Sequence, residues 1–172
     1  MIVATILMFL LALAVNMAFF VEFEFAPGIN WVYLPAGVRL LATLLFAELG
    51  AIGLLLVSWA VSFLIFFPDD PVRAFAGGIV AAVAPYAVYL AARRLWGLEP
   101  NLANLTPAKL LGLALAYAVA SPVLHHAWFV LHGDAYSLKG LFAMFVGDLN
   151  GSLIVLYAGK TLLRLYGTSR PR

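Results

Sequence analysis

The stretch 36–67, "AGVRLLATLLFAELGAIGLLLVSWAVSFLIFF", decides how the chain folds, because it is apolar throughout and too long for one membrane crossing. A helix needs about 20 apolar residues to cross the hydrocarbon core of a bilayer. Glu48, Gly50 and Gly53 interrupt the run near its middle. We therefore predict two helices in this stretch, a short one over 36–48 and a second one over 50–67.

The overall composition indicates an integral membrane protein. Of its 172 residues, 65% are hydrophobic and 10% are charged, whereas a soluble domain is closer to half apolar and a quarter charged. So few charges cannot cover a surface that faces water. The net charge of +2 gives no reason to expect nucleic acid as a partner. The chain has no cysteine, which excludes disulfides and cysteine-ligated metal sites, and we predict no cofactor.

The remaining apolar runs predict further helices over 2–22, 74–95, 107–131 and 139–166. Together with the two helices in 36–67, they give an all-α integral membrane protein, a bundle of six transmembrane helices with short loops that forms a single domain over 1–172. Two helix starts carry sequence signals. Asp69 and Asp70 are placed to cap the helix that follows them, and Thr106 precedes Pro107 in the typical order of N-cap and first helical residue.

The positive charges predict the orientation of the bundle. They flank the loop between the fourth and fifth helices and the C-terminus, and they are Arg93, Arg94, Lys109, Lys160, Arg164, Arg170 and Arg172. Because cytoplasmic loops are enriched in Lys and Arg, both regions and both termini are predicted to lie in the cytoplasm, with the chain in the bacterial inner membrane. Aromatic residues typical of an interface fall near the outer boundary, namely Trp31, Tyr33, Trp128 and Tyr136. If 36–67 were one helix, the N-terminus would lie outside.

Polar residues within the apolar runs are the candidate ligand-binding residues. They are Arg39, Asp148, Asn150, His125, His126, Trp31, Asn30 and Asn16. Ionisable groups at bilayer depth are costly and usually face the bundle interior or a wet cavity. Arg39 is predicted to pair with Asp148. That pair either ties the second helix to the sixth, or belongs to a pocket that opens outward, in which Arg39 binds an anionic group and Asp148 orients it or receives a cationic group.

The sequence gives less support to metal binding or to catalysis. Neighbouring residues on a helix point about 100° apart, so at most one of His125 and His126 faces a given pocket, and we predict no metal site. We find no nucleophile with a matched base, no phosphate-binding loop and no paired carboxylates, so we predict that the chain is not an enzyme. Gly147 and Gly151 flank Asp148 at a spacing that lets another element approach closely beside the acid.

Two stretches resemble the MASE1 family of bacterial membrane sensor domains. In 31–59, "WVYLPAGVRLLATLLFAELGAIGLLLVSW", the similar features are Trp31, Pro35-Ala36-Gly37, Gly50 and Gly53, and in "VGDLNGSLIVLYAGKTLL" (146–163) they are Gly147, Asp148 and Gly151. The resemblance covers about residues 25 to 165 and implies a domain that senses small ligands. Members of that family are usually fused to diguanylate cyclase or histidine kinase output domains. This chain is shorter than the usual eight-helix domain and carries no output domain, so a membrane protein partner or a second copy would carry the signal.

Two further readings stay open. Six helices, cytoplasmic termini and the small residues Ala14 and Ala18 in the first helix are also similar to the substrate-binding components of energy-coupling-factor vitamin transporters, which dock a membrane partner through such a helix. The third reading is a structural accessory subunit of a larger membrane complex. The leading hypothesis is a membrane-embedded sensory module that binds a small, perhaps anionic, ligand between the second, fifth and sixth helices.

Overall fold

The computed structural model describes residues 1–26, 28–133 and 137–168, with side chains as far as residue 161. The chain is mostly helical. Its elements are α1 (Ile2–Phe19), β1 (Glu24–Ala26), β2 (Ile29–Asn30), α2 (Leu34–Val61), α3 (Pro71–Leu95), α4 (Pro107–Leu131) and α5 (Leu138–Thr168). A 3₁₀ turn, Val21–Phe23, precedes β1, and a π-helical segment, Ser62–Phe66, continues α2. The predicted positions of Tyr136, Arg170 and Arg172, and of the Arg164 side chain, lie outside the described parts.

Of the three predicted capping residues, Asp70 and Thr106 are confirmed, and the N-cap of α3 is Asp70 rather than Asp69. Asp70 accepts a hydrogen bond from the backbone N–H of Arg73 at 3.0 Å, and Thr106 accepts one from the N–H of Lys109 at 3.2 Å. The helix after Asp70 begins at Pro71 rather than at residue 74, because the cap and the proline together start it earlier. The helix after Thr106 has the predicted bounds.

The segment between α1 and α2 is more ordered than the predicted loop. The first helix ends at Phe19 instead of residue 22, and the chain then forms a two-stranded antiparallel ribbon of β1 and β2. These strands were not predicted from the sequence. Glu24 stabilises the tight connection by accepting a hydrogen bond from the N–H of Gly28 at 3.1 Å, and Gly28 takes a φ of 79° that glycine adopts easily.

Helix α2 reverses direction at Ala47, whose φ of 47° and ψ of −120° are not helical. Residues 34–46 form its first arm and residues 48–61 its second arm. Val38 and Val57 belong to one core cluster, although a straight helix would separate them by about 28 Å. Gly50 lies directly against the backbone of Ala42, where a Cβ atom would clash. The break predicted between residues 48 and 50 therefore exists, and it lies at Ala47.

Five helices are long and apolar enough to cross a membrane in the described parts of the chain, when α2 and its π-helical continuation are taken as one. The prediction was six. Large apolar side chains cover the outside of the bundle, for example Leu7, Leu11, Leu64 and Leu131. Such an exterior suits lipid tails and is rare on a soluble monomer.

Helix α2 lies at the centre of the bundle. It packs against α1, α3 and α5, while α4 packs against α3 and α5. Two core clusters result: one joins the first arm of α2 to α3 and α4 around Leu40 and Tyr117, and the other joins both arms to α1 around Phe9. Because the first arm is enclosed on several sides, the charged residue in its second turn, Arg39, is carried into the interior.

Candidate functional site

A cavity of about 60 Å³, lined by apolar side chains and a few polar and charged ones, lies inside the bundle, at the end where the β-ribbon is found. A single water molecule needs at least roughly 10–15 Å³ of such space, so the cavity has room for more than one water or for one small organic ion. Residues from most helices and from β2 line the cavity. They include Phe9, Asn30, Tyr33, Arg39, Ser58, Ser62, Phe67, Arg73, His125, Trp128, Phe129 and Asp148.

Arg39 is buried with 8% of its surface exposed, and two aromatic rings hold its guanidinium. The guanidinium carbon lies 5.4 Å from the ring centroid of Phe9 and 5.3 Å from that of Tyr33. Cation–π contacts of this kind are worth about 2 kcal/mol each when they are shielded from water. They stabilise the charge but give the Nε–H group no acceptor. Arg39 Nε is buried with no hydrogen-bond partner in the described residues.

Asp148 is brought to the same cavity by the close approach of α5 to the segment that leads into α2. Gly147 lies against the carbonyl of Asn30, and Gly151 lies against the carbonyl of Tyr33, at positions that have no room for a Cβ atom. The N–H of Tyr33 donates to the carbonyl of Gly147 at 3.1 Å. The close neighbour predicted beside the acid from the spacing of the two glycines is therefore confirmed.

The two charges attract each other across the cavity, but the predicted pair is incomplete. Asp148 has 3% of its surface exposed, and its Oδ2 atom, like Arg39 Nε, has no hydrogen-bond partner within the described ranges. The hydroxyl of Ser58, which also lines the cavity, is buried without a partner there as well. Buried polar groups in folded proteins are nearly always hydrogen-bonded. A cluster of unsatisfied atoms around a cavity therefore indicates a site that something polar fills.

A second arginine, which the sequence analysis did not single out, lines the cavity from the start of α3. The guanidinium carbon of Arg73 lies 4.6 Å from the ring centroid of Phe67 and 4.9 Å from that of Phe129. Arg73 is only partly buried, since it sits in the first turn of α3, near the loop at 67–70. The cavity wall thus carries two guanidiniums and one carboxylate.

Two more of the predicted binding residues, His125 and Asn30, line the cavity. The Nδ1 atom of His125 is bonded to the carbonyl of Ser121 at 2.9 Å. His126 lies outside the lining and is buried, with its Nδ1 bonded to the carbonyl of Pro122 at 2.9 Å. As predicted for adjacent residues on a helix, only one of these two histidines faces the cavity.

The other three predicted binding residues, Asn16, Asn150 and Trp31, make contacts that hold the helices together. Asn16 accepts a hydrogen bond from the N–H of Leu34 at 2.8 Å, which caps the start of α2 from α1. Asn150 donates to the carbonyl of Trp31 at 3.1 Å and so ties α5 to the segment before α2. The Trp31 ring meets Phe142 edge to face at 6.2 Å. These contacts position the cavity, and none of the three residues lines it.

Several residues that line the cavity were not predicted as binding residues from the sequence. Ser58 and Ser62 are four residues apart, a spacing that puts both on one face of a helix, and this signal was available. Tyr33 was interpreted only as an interfacial aromatic. Phe9 is an ordinary residue of an apolar helix, and nothing local distinguishes it from a core position.

No group of three or more His, Asp or Glu side chains is placed to hold a metal ion in the ranges that the structure describes. The ring of His132 stacks on Trp128, with 4.2 Å between the centroids. Comparison of the chain with family models, with curated proteins and with solved structures finds no match. The resemblance to MASE1 domains therefore stays a prediction.

Proposed function

We propose that the chain is a membrane-embedded module that binds a small ligand with an anionic group. The observation that carries the proposal is the cavity whose buried Arg39 Nε and Asp148 Oδ2 lack partners in the described residues. Leaving such groups unsatisfied in a low-dielectric interior costs free energy, which a complementary ligand recovers on binding. The site is proposed for binding rather than catalysis, because in the described residues the Ser58 hydroxyl has no base bonded to it and His125 Nδ1 is bonded to the carbonyl of Ser121.

We further propose that six segments cross the bacterial inner membrane, with each arm of α2 crossing separately and both termini in the cytoplasm. In support, the reversal at Ala47 makes the two arms antiparallel, and the first arm is about 20 Å long. Arg93 and Arg94 end α3, and Lys109 begins α4, at the opposite end of the bundle from the cavity. By the positive-inside rule this end faces the cytoplasm, so the cavity faces outward.

The proposed role of the module is sensory, in line with the resemblance to MASE1 domains, and its signal would pass to a protein partner or to a second copy in the membrane. The first alternative is the substrate-binding component of an uptake transporter. It predicts co-purification with an ATPase-bearing partner, whereas the sensor predicts a signalling partner. The second alternative, a structural accessory subunit, predicts that no small ligand occupies the cavity.

The test is ligand-induced stabilisation of the purified chain in detergent, screened with small organic and inorganic anions. A ligand at a hundred times its Kd stabilises a protein by about 2.7 kcal/mol. For a domain of this size that amounts to a shift in Tm of roughly 5–10 °C. This ligand-induced shift in Tm should disappear in Arg39→Gln, and in Asp148→Asn it should differ from the shift of the wild type.

The matched control is Arg94→Gln, because Arg94 is exposed in the last turn of α3, far from the cavity. It should keep the full ligand-induced shift. If every ligand that stabilises the wild type stabilises Arg39→Gln and Asp148→Asn equally well, the cavity is not the binding site and the proposal is wrong.

A further inference from the structure

The cavity buries two opposite charges that do not satisfy each other fully. Arg39 is held by aromatic rings and Asp148 by the backbone contacts of α5, so neither can easily move to the other. Each keeps one buried polar atom, Nε and Oδ2, without a partner in the described residues. A ligand that completes the site must therefore offer an acceptor to one residue and a donor to the other.

Simple ions meet only half of this requirement. A plain anion on Arg39 would also be attracted by Arg73, but it would be repelled by the carboxylate of Asp148 and would leave Asp148 Oδ2 without a donor. A plain cation on Asp148 would be repelled by both guanidiniums. A buried charge left unpaired is strongly destabilising. A molecule with one charge of each sign pairs both residues and adds no net charge to the interior of the bundle.

We propose that the ligand of this cavity is a small zwitterion, a molecule that carries a carboxylate and an ammonium group. The inference rests on the proposed function and specifies its ligand class. The carboxylate lies on the Nε edge of Arg39, where a guanidinium offers two parallel N–H donors. The ammonium group donates to Asp148 Oδ2.

The rest of the cavity fits this class. Its size, about 60 Å³, suits a molecule of a few heavy atoms, such as a short amino acid. The hydroxyl of Ser58, which lines the cavity and has no partner in the described residues, can bond to either polar end of the ligand. Arg73 is partly exposed and lines the same cavity, so its charge favours entry of a molecule by its carboxylate end.

The experiment measures the binding of matched pairs of probes to the full chain in detergent by isothermal titration calorimetry. The pairs are glycine and acetate, β-alanine and propanoate, and 4-aminobutanoate and butanoate, in which the members differ by one ammonium group. In at least one pair the amino acid should bind at least about tenfold more tightly than the plain carboxylate, the range expected for a buried charge pair.

Two variants assign the groups. In Asp148→Asn, which keeps the shape of the side chain, the advantage of the amino acid over its matched carboxylate should disappear. In Arg39→Gln, binding of both members should be lost, while the exposed control Arg94→Gln should bind as the wild type does. If Arg39→Gln does not fold, the comparison of Asp148→Asn with the wild type still decides the question.

The outcomes separate this inference from the proposed function. If plain carboxylates bind through Arg39 as tightly as the amino acids do, the cavity is an anion site, and the zwitterion proposal is overturned while the proposed function stands. The same holds if other anions bind but none of these amino acids does. An advantage of the amino acid that survives in Asp148→Asn also overturns the assignment.

Discussion

The reversal of α2 at Ala47 gives a direct test of the fold through the substitution Ala47→Gly. The φ of 47° and ψ of −120° at this position are readily adopted by glycine but are strained for a residue with a Cβ atom. A non-glycine residue in such a region costs about 1–3 kcal/mol. Removing the Cβ atom relieves that strain, so the substitution should stabilise the protein.

Two opposing contributions reduce the expected gain. Glycine is more flexible in the unfolded chain, which costs roughly 0.5–1 kcal/mol. The lost methyl group of Ala47 is only partly buried against the core cluster around Leu40, which is worth about half of the 0.8 kcal/mol of a fully buried methylene. With each contribution taken at the middle of its range, the net expectation is a stabilisation of about 1 kcal/mol.

The assay is reversible unfolding of the purified chain in mixed detergent micelles with increasing SDS, followed by tryptophan fluorescence. The matched control is Ala60→Gly, because Ala60 is exposed in the second arm of α2. Glycine in a regular helix costs about 1 kcal/mol relative to alanine, so this variant should lose stability. If Ala47→Gly loses as much stability as Ala60→Gly, residue 47 is in an ordinary helix and the reversal is wrong.

Two further predictions concern the contacts that form the cavity. Gly151→Ala should destabilise the protein by about 1–3 kcal/mol, because its Cβ atom would clash with the carbonyl of Tyr33. Gly159→Ala has free space for a Cβ atom and should stabilise α5 slightly, so equal effects of the two variants in the unfolding assay would argue against the close approach. Asn16→Ala should cost about 1–2 kcal/mol, since the buried N–H of Leu34 loses its acceptor. An unchanged midpoint of unfolding would contradict the tertiary cap.

Much of the fold could be predicted from local signals. The apolar runs located the helices, and the capping residues Asp70 and Thr106 act as expected. The interruption near Glu48 indicated a break in the longest run, which the structure places at Ala47. The β-ribbon was missed because two strands of three and two residues are too short to show a pattern of alternation.

The candidate site was predicted only in part. The cost of burying charge identified Arg39 and Asp148 as interior residues, and both line the cavity. The same argument also selected Asn16 and Asn150, which bond to the backbone of the segment before α2 instead. The free-energy cost of burial alone cannot distinguish a polar side chain that faces a cavity from one that forms a hydrogen bond with a neighbouring backbone group, because both side chains are buried.

The sequence by itself determined that the chain forms apolar helices, where most of them begin and end, and that a few charges must lie inside. These properties depend on residues close together in the chain, so composition and spacing are enough to reveal them. Only the tertiary structure decided that both arms of α2 lie side by side, that Arg73 joins Arg39 at one cavity, and that Arg39 and Asp148 keep unsatisfied atoms. Each of these facts depends on contacts between residues far apart in the sequence, whose distances no local pattern encodes.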